Sequence, residues 1–432
     1  MTITLTPTPL SGSVTVLSSK SHVHRLLICA ALADKPTTIR FDNTSEDIEA
    51  TTACLRALGA QIDVFDGGAT VVPICRGGVN PPAEQISPNG GRVDPAPTSE
   101  VLDCGESGST LRFLIPVAAG LGVGNVFVGR GKLMERPTTP IYDALITRES
   151  GTFRITKPLV SGNYRLGGDI SSQFFSGLLF ILPTLEGDSE IIVEGKLESL
   201  PYVDLTLDCI RMFGVKIDFD GTKFTIRGGQ KYISPGEIIA EGDWSNAAFW
   251  LCAGALSEKL TILGMNLKSV QGDMGILDIL QRMGANIAVS PQEIVVSGGD
   301  LRGIEVDATD IPDLIPVVST TASVARGRTI IRNAGRLRFK ESDRLQTTCA
   351  MLTAMGAKIQ ETEDGLIIDG VERLTGGETD SYMDHRIAMS AAVAATVSTG
   401  EVKITGANAV RKSYPTFWEE YGKLGGQVTV NK

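Results

Sequence analysis

The sequence predicts an α/β protein of the α+β type, built as two domains of three repeat units each. Three observations carry this reading. First, five segments share one pattern: a helix end, a Gly, a small residue and then a strand. They run over 55–62 around Gly59, 210–217 around Gly214, 280–287 around Gly284, 352–359 around Gly356 and 421–428 around Gly425. A weaker sixth copy spans 145–155 around Gly151. Second, these glycines are 92, 63, 70, 72 and 69 residues apart, the spacing of a repeated supersecondary unit. Third, 432 residues hold six such units, too many for one domain and a natural length for two.

Each unit reads as strand, helix, strand, helix and strands. The second helix carries the Gly, and is expected at 47–58, 202–213, 272–283, 342–355 and 416–424. Each Gly is expected to cap its helix in the left-handed conformation, which a residue without Cβ adopts at little steric cost. The residues after it alternate, as in Lys216-Ile-Asp-Phe, and so read as strand. The first helix of a unit is apolar, with candidates at 26–33, 111–121, 174–182, 314–324 and 387–396. Strands at 37–40, 259–263, 328–331 and 401–404 follow apolar helices.

Composition narrows the function. A hydrophobic fraction of 42% with 21% charged residues describes a soluble globular chain. No apolar run of about 18 residues is present. The start, Met-Thr-Ile-Thr-Leu-Thr-Pro, is not a signal peptide, so a cytoplasmic protein is expected. Seven cysteines (29, 54, 75, 104, 209, 252 and 349) form no CxxC pair and read as reduced core thiols. A net charge of −10 argues against nucleic-acid binding, so any anion site must be a local concentration of cations.

Such concentrations open helix after helix. Residues 336–344 place Arg336, Arg338, Lys340 and Arg344 beside Glu341 and Asp343. A helix starting near Lys340 would put Lys340 and Arg344 on one face, with Glu341 three residues from Arg344. An acid among cations could deliver a proton to a bound anion; otherwise the stretch is a solvated helix start. Ser18 to Arg25 precedes an apolar helix, and its serines suit an N-cap while Lys20 and Arg25 add charge. His22 and His24 read as ordinary surface or packing residues, since two His without a third ligand make a poor metal site. Cys104 to Arg112 has the same form, with Gly108 allowing close approach to the backbone and no P-loop Lys. Gly129 to Pro137 is a basic loop, and Ser171-Ser172-Gln173 and Ser199 open two more helices. Asp313 follows Pro312 before an apolar helix, either as a cap or as a general base. Asp384-His385-Arg386 and Lys412 open the last two.

Taken together these pieces resemble the 3-phosphoshikimate 1-carboxyvinyltransferases (5-enolpyruvylshikimate-3-phosphate synthases) of the enolpyruvyl transferase family. The match runs from about residue 10 to the end. It rests on Ser19-Lys20-Ser21 with Arg25, Glu135-Arg136-Pro137, Ser171-Ser172-Gln173, Ile311-Pro312-Asp313, Lys340 to Arg344, Asp384-His385-Arg386 and Lys412, in that order. The resemblance implies two inside-out barrel domains, each of three βαβαββ units around a pseudo-threefold axis. Residues 19–240 would form one, contributing mainly shikimate 3-phosphate contacts. Residues 1–18 with 241–432 would form the other, contributing mainly phosphoenolpyruvate contacts and the acid and base. It implies transfer of the enolpyruvyl group of phosphoenolpyruvate to the 5-hydroxyl of shikimate 3-phosphate, without metal or organic cofactor, by a monomer acting on small molecules alone.

Residue roles follow from the resemblance. Lys20, Arg136 and Lys412 would meet the phosphate of phosphoenolpyruvate, and Arg344 and Arg386 its carboxylate, with Gly108 and Gln173 lining the subsite. Ser21 and Arg25 would hold the carboxylate of shikimate 3-phosphate, and Ser171, Ser172 and Ser199 its phosphate; Lys20 and Gln173 also border that ligand. Asp313 would take the 5-hydroxyl proton, assisted by Lys340, and Glu341 would give a proton. Four features depart from the family pattern. Leu17-Ser18 replaces Pro-Gly, Glu106 stands where Asn is common, Arg336 replaces an Asn, and the stretch 145–168 is about ten residues short, so that part of a strand pair is expected to be missing. The sister family that uses UDP-N-acetylglucosamine usually carries a Gly-Cys loop; here Cys104 precedes Gly105 and 129–136 has no Cys. A catalytically dead anion-binding relative would have lost Asp313, Glu341 or the cations, and all are present.

Overall fold

The computed structural model describes residues 1–42, 44–74, 101–123 and 125–431. The chain opens with strands β1 (Thr2–Thr6) and β2 (Ser11–Thr15). Next come helix α1 (Lys20–Ala31), β3 (Thr37–Arg40), α2 (Glu46–Ala57), β4 (Gln61–Phe65) and β5 (Gly68–Val72). The second unit is β6 (Val101–Asp103), α3 (Gly108–Leu121), β7 (Val126–Val128), α4 (Pro140–Leu145), β8 (Ile146–Glu149) and β9 (Thr152–Ile155). The third is β10 (Asn163–Gly167), α5 (Ser172–Ile181), β11 (Ser189–Glu194), α6 (Leu200–Met212), β12 (Ile217–Phe219) and β13 (Lys223–Ile226), followed by β14 (Glu237–Ile239). Then come α7 (Trp244–Ala255), β15 (Lys259–Leu263), α8 (Ile276–Met283), β16 (Asn286–Val289) and β17 (Glu293–Ser297). The fifth unit is β18 (Glu305–Asp307), α9 (Ile315–Ala322), β19 (Arg328–Arg332), α10 (Arg344–Ala354), β20 (Lys358–Glu361) and β21 (Leu366–Asp369). The last is β22 (Gly377–Asp380), α11 (His385–Ala395), β23 (Val402–Thr405), α12 (Phe417–Lys423) and β24 (Gln427–Asn431).

Two compact bodies result: a central one, Lys20–Ala240, and a terminal one, Met1–Ser19 with Glu241–Lys432. Each holds three four-stranded sheets with one topology, a parallel edge pair followed by two antiparallel neighbours. The sheets β6-β7-β9-β8, β10-β11-β13-β12 and β18-β19-β21-β20 are contiguous in sequence. The other three are completed by strands from the ends of each body. β14 returns to pair with β3, β2 pairs with β15, and β1 is inserted between β23 and β24.

Within a unit the two helices differ in burial, as their composition requires. Every residue of α7, α9 and α11 is buried. In α1, α3 and α5 most are, and beyond their polar first turns these helices are apolar and form the core of each body. The second helices keep a solvent face, and α8 buries Ile276, Ile279, Leu280 and Met283 on one stripe. Four of the expected apolar helices, α1, α3, α5 and α11, begin earlier than the onset of apolar residues suggests. α1 starts at Lys20 and α5 at Ser172, because the polar opening residues are the first turn rather than a preceding loop. α7 is the apolar helix that the strand at 259–263 follows; it has no Ser–Lys–Arg opening, and Asp243 caps it by accepting from Asn246 N.

The glycine rule holds at the five strong repeats. Gly59, Gly214, Gly284, Gly356 and Gly425 have φ of 103°, 79°, 103°, 87° and 95°. The next residue in each case donates its N–H back to the carbonyl five positions earlier: Ala60 to Leu55, Val215 to Ile210, Ala285 to Leu280, Ala357 to Leu352 and Gly426 to Tyr421. That is the Schellman closure, which satisfies a carbonyl left open at the helix end. Gly151 is different. It is left-handed (φ 77°), but so is Ser150 (φ 48°), and the pair forms the two-residue turn joining β8 to β9. Two consecutive positive φ values are what a tight hairpin of right-twisted strands requires. The expected loss from a strand pair is therefore corrected. β8 and β9 pair fully from Ile146↔Ile155 to Glu149↔Thr152, and the helix is the short element, six residues in α4 running directly into β8 without a Gly cap.

Cys29, Cys54, Cys104, Cys209 and Cys252 are buried free thiols and Cys349 is partly exposed; Cys75 lies outside the described residues. Among the described residues no helix is long and apolar enough to cross a membrane.

Candidate active site

In the terminal body, Asp313 gathers the charges. It sits in a 3-10 turn, Pro312–Leu314, that leads into α9. It lies inside that turn, while the N-cap position of α9 is held by Leu314. Asp313 Oδ1 accepts from Arg344 Nη1 at 2.8 Å and lies 3.4 Å from Lys340 Nζ. Oδ2 accepts from Arg386 Nη2 at 2.8 Å. Lys340 and Glu341 are not on a helix face as expected. Residues Gly335–Phe339 form a 3-10 turn, and α10 starts only at Arg344, because Asp343 is the side chain that reaches the Gln346 N–H as a cap.

Arg344 is 1% exposed and its donors are taken by carboxylates. Nε donates to Asp384 Oδ2 at 2.7 Å, and Nη2 to Asp384 Oδ1 at 3.1 Å and to Glu341 Oε2 at 2.8 Å. Burial acts against its charge, but Asp384, Glu341 and Asp313 outweigh that and hold the guanidinium above its ordinary range. Asp384 is fully buried, caps α11 through Arg386 N at 3.0 Å and accepts from Ser342 Oγ at 3.1 Å. It orients Arg344 with a two-oxygen grip. Lys340 is shifted the other way: burial lowers its pKa, and Arg344 and Arg336 add to this against Asp313 and Glu341. Arg336 donates to the Thr309 carbonyl.

Lys412 ends a 3-10 turn, is 6% exposed and donates to the Met383 carbonyl at 2.7 Å. Met383 and Tyr382 both have positive φ, 54° and 52°, a conformation costing about 1–2 kcal/mol per non-Gly residue. This strained pair turns the Met383 carbonyl to Lys412 directly before Asp384. A second buried acid, Asp273, accepts from Ser245 Oγ. Burial, then the charge of Asp313, pushes its pKa up to about 7.

In the central body, Lys20, Ser21 and Arg25 lie on the first two turns of α1. Lys20 Nζ pairs with Asp47 Oδ2 at 2.8 Å, from the first turn of α2. Arg25 is 2% exposed. It donates to Ser21 O at 2.7 Å, to Thr206 Oγ1 at 2.8 Å and to Tyr202 O at 2.9 Å, and lies 5.0 Å over the Phe113 ring. Burial lowers its pKa to about 10. Arg25 therefore ties α1 to α6.

Helix α3 begins at Gly108, behind the cap Ser107, whose Oγ accepts from Thr110 N at 3.2 Å. A Cβ on Gly108 would lie 2.8 Å from Arg136 Nη1 and 3.1 Å from Arg112 Nη1, so two guanidinium groups converge on this backbone. Gln173 joins them: Oε1 accepts from Arg112 Nη1 at 2.8 Å and Nε2 donates to Ser109 Oγ at 2.9 Å. Glu106 lies over Gly131 in the basic loop, its carboxylate within 3.2–3.5 Å of where a Cβ would stand. Ser171 caps α5 by accepting from Gln173 N at 3.4 Å, and Ser172 is its first residue. Ser199 precedes α6 in a left-handed conformation (φ 56°).

The structure thus joins Asp313, Lys340, Glu341, Arg344 and Arg386 in one ion cluster, and Gly108, Arg136 and Gln173 in another. Ser21 meets Arg25 through its carbonyl, while Ser171, Ser172 and Ser199 sit at two helix starts. Sequence reasoning gave no role to Asp47, Arg112, Asp273 or Asp384. Arg112 had a readable signal, a cation one helical turn after Gly108 and on its face.

A family model described as EPSP synthase (3-phosphoshikimate 1-carboxyvinyltransferase) matches residues 5–421. The 3-phosphoshikimate 1-carboxyvinyltransferase of Clostridium kluyveri is 42% identical over 435 residues, spanning 99% of this chain and 98% of that protein. That of Clostridium perfringens is 42% identical over 434 residues, 98% of each. A solved structure of EPSP synthase from Acinetobacter baumannii superposes with a TM-score of 0.79 at 27% identity, covering 99% of this chain and all of that one. The enolpyruvyl transferase NikO from Streptomyces tendae shares the fold, with a TM-score of 0.74 at 19% identity over 99% of this chain and 98% of its own. With the repeat topology, the two cation clusters and a match over nearly its whole length, this chain belongs to the EPSP synthase (3-phosphoshikimate 1-carboxyvinyltransferase) family.

Proposed function

We propose that this protein transfers the enolpyruvyl group of phosphoenolpyruvate to the 5-hydroxyl of shikimate 3-phosphate, releasing phosphate and 5-enolpyruvylshikimate 3-phosphate. Family membership supports the overall reaction. The observation that carries the residue roles is the Asp313 carboxylate bridging Arg344 and Arg386 with one oxygen on each.

That bridge has the geometry a substrate carboxylate needs, two oxygens on two guanidinium groups. The carboxylate of phosphoenolpyruvate would take the place of Asp313 and release it. Asp313 is then available as a base for the 5-hydroxyl proton, with Lys340 beside it to pass that proton on. A substrate carboxylate on Arg344 Nη1 also offsets the cation beside Glu341, which can then carry the proton it must donate.

In the reaction Glu341 gives a proton to the methylene carbon of phosphoenolpyruvate, which becomes a methyl group. The 5-oxygen bonds to the adjacent carbon as its proton leaves to Asp313, forming a tetrahedral ketal. The methyl group then returns a proton to the Glu341 carboxylate, restoring the double bond as the carbon–oxygen bond to phosphate breaks. Lys20, Arg136 and Lys412 hold the phosphate that departs, with Gly108 and Gln173 beside it. Ser21 and Arg25 hold the carboxylate of shikimate 3-phosphate, and Ser171, Ser172 and Ser199 its phosphate. Arg25 is placed as a rigid support rather than a mobile arm, since three of its N–H groups are already bound. The reaction draws on proton transfer and charge alone.

Phosphate release from phosphoenolpyruvate by purified protein tests this reading. Release that requires shikimate 3-phosphate is expected. Release that instead requires UDP-N-acetylglucosamine, or binding of both ligands without turnover, would overturn it.

A further inference from the structure

Four side chains on the first three helices form an unbroken buried chain. His24 Nδ1 lies 2.7 Å from Thr51 Oγ1, which lies 2.6 Å from Thr110 Oγ1, which lies 2.8 Å from Ser107 Oγ. His24, Thr51 and Thr110 are fully buried and Ser107 is 1% exposed.

The direction of donation can be assigned from the network. Thr110 has one hydroxyl hydrogen, and Ser107 Oγ at 2.8 Å is the better acceptor than Asp47 O at 3.5 Å. Thr51 must then donate to Thr110, and His24 Nδ1 must donate to Thr51. This is the Nδ1–H tautomer. It agrees with His24 Nε2, which is buried without a hydrogen-bond partner among the described residues: a bare lone pair there costs less than an orphaned N–H. Burial, followed by Lys20 and Arg25, also holds His24 well below its ordinary pKa and so neutral.

The chain ends at the cap of α3. With one lone pair of Ser107 Oγ taken by Thr110 Oγ1, its other faces the Thr110 N–H at 3.2 Å, which fixes the first turn. Gly108 opens that turn, and an atom added to it would stand 2.8 Å from Arg136 Nη1 and 3.1 Å from Arg112 Nη1. A shift of Ser107 therefore moves the backbone on which these two guanidinium groups converge. We propose that His24 is a positioning residue for the phosphoenolpyruvate subsite at Gly108, acting through Thr51, Thr110 and Ser107. The inference rests on the reaction proposed above. A chain serving only to pack three helices would lower stability when broken but would not favour one substrate over the other.

Thr51→Val keeps the volume and removes both hydroxyl bonds. The expected result is a KM for phosphoenolpyruvate raised about tenfold or more, with the KM for shikimate 3-phosphate within about twofold. Thr51→Ser should restore the first to within about twofold of wild type. Equal changes in both KM values, or a lower melting temperature with both unchanged, would overturn the inference. Should Thr51→Val not fold, Thr110→Val breaks only the part of the chain beyond Thr51 and is read in the same way. Wild-type protein without coupled turnover would sink the functional reading and this inference with it, whereas normal wild-type turnover with an unaffected variant would sink this inference alone.

Discussion

Asp313 is shared by Lys340, Arg344 and Arg386, and the chemistry at the residue scale turns on when those cations let it go. Glu341 shares Arg344 with it, so base and acid are tied to one guanidinium. Glu341→Gln keeps the shape and the bond from Arg344 while removing the proton to be donated. Turnover should fall by about a hundredfold or more, with ligand affinities within about twofold. Unchanged turnover would remove Glu341 from the donor role. Asp273 gives a pH test. Its pKa rises from 3.8 to about 7 through burial, so its contribution to stability is complete below about pH 4 and is lost as pH climbs towards 7. The melting temperature of Asp273→Asn should therefore gain on that of wild type between pH 4 and 8. Parallel curves would contradict the assignment. The charged residues of this cluster were readable from sequence as a local excess of cations. Their partners were not: Asp384 and Arg344 are 40 positions apart, and nothing local marks a carboxylate as the one that will grip a distant guanidinium.

Elements were most legible where one residue's backbone preference decides the outcome. A Gly after a helix and before an alternating strand left few options, and the five strong copies adopt one closure. Gly151 carried the same local signal but belongs to a hairpin, because Ser150 is also left-handed and α4 stops short. The starts of α1, α3, α5 and α11 lie before the expected ones, since the onset of apolar residues marks where a helix becomes buried rather than where it is capped. The same reasoning separates two glycine substitutions. Gly425→Ala meets no atom within 4 Å and bears only the left-handed strain, about 1 kcal/mol. Gly284→Ala adds a Cβ 2.5 Å from the Asp300 carbonyl oxygen, a backbone atom with little freedom, and should cost about 3 kcal/mol or more. Thermal melts of the two variants check the order; equal losses would mean the Asp300 segment moves aside freely.

At the scale of the whole molecule, the strands that complete each body come from distant parts of the chain. β1 and β2 are needed by the last and first sheets of the terminal body, and β14 by the first sheet of the central one. The repeat count and the size of the units could be read from the sequence. These closures could not, because a strand that fills another unit's missing edge has no periodic partner beside it in sequence. The same architecture underlies the central claim, that the chain adds a proton to phosphoenolpyruvate and later removes one. Turnover in deuterium oxide tests this most directly. If a transient methyl group forms, mass spectrometry should find deuterium in the enolpyruvyl methylene of the product, and only when shikimate 3-phosphate is present. Product formed at a normal rate with no deuterium in that methylene would contradict addition and elimination, and with it the roles given to Glu341 and Asp313.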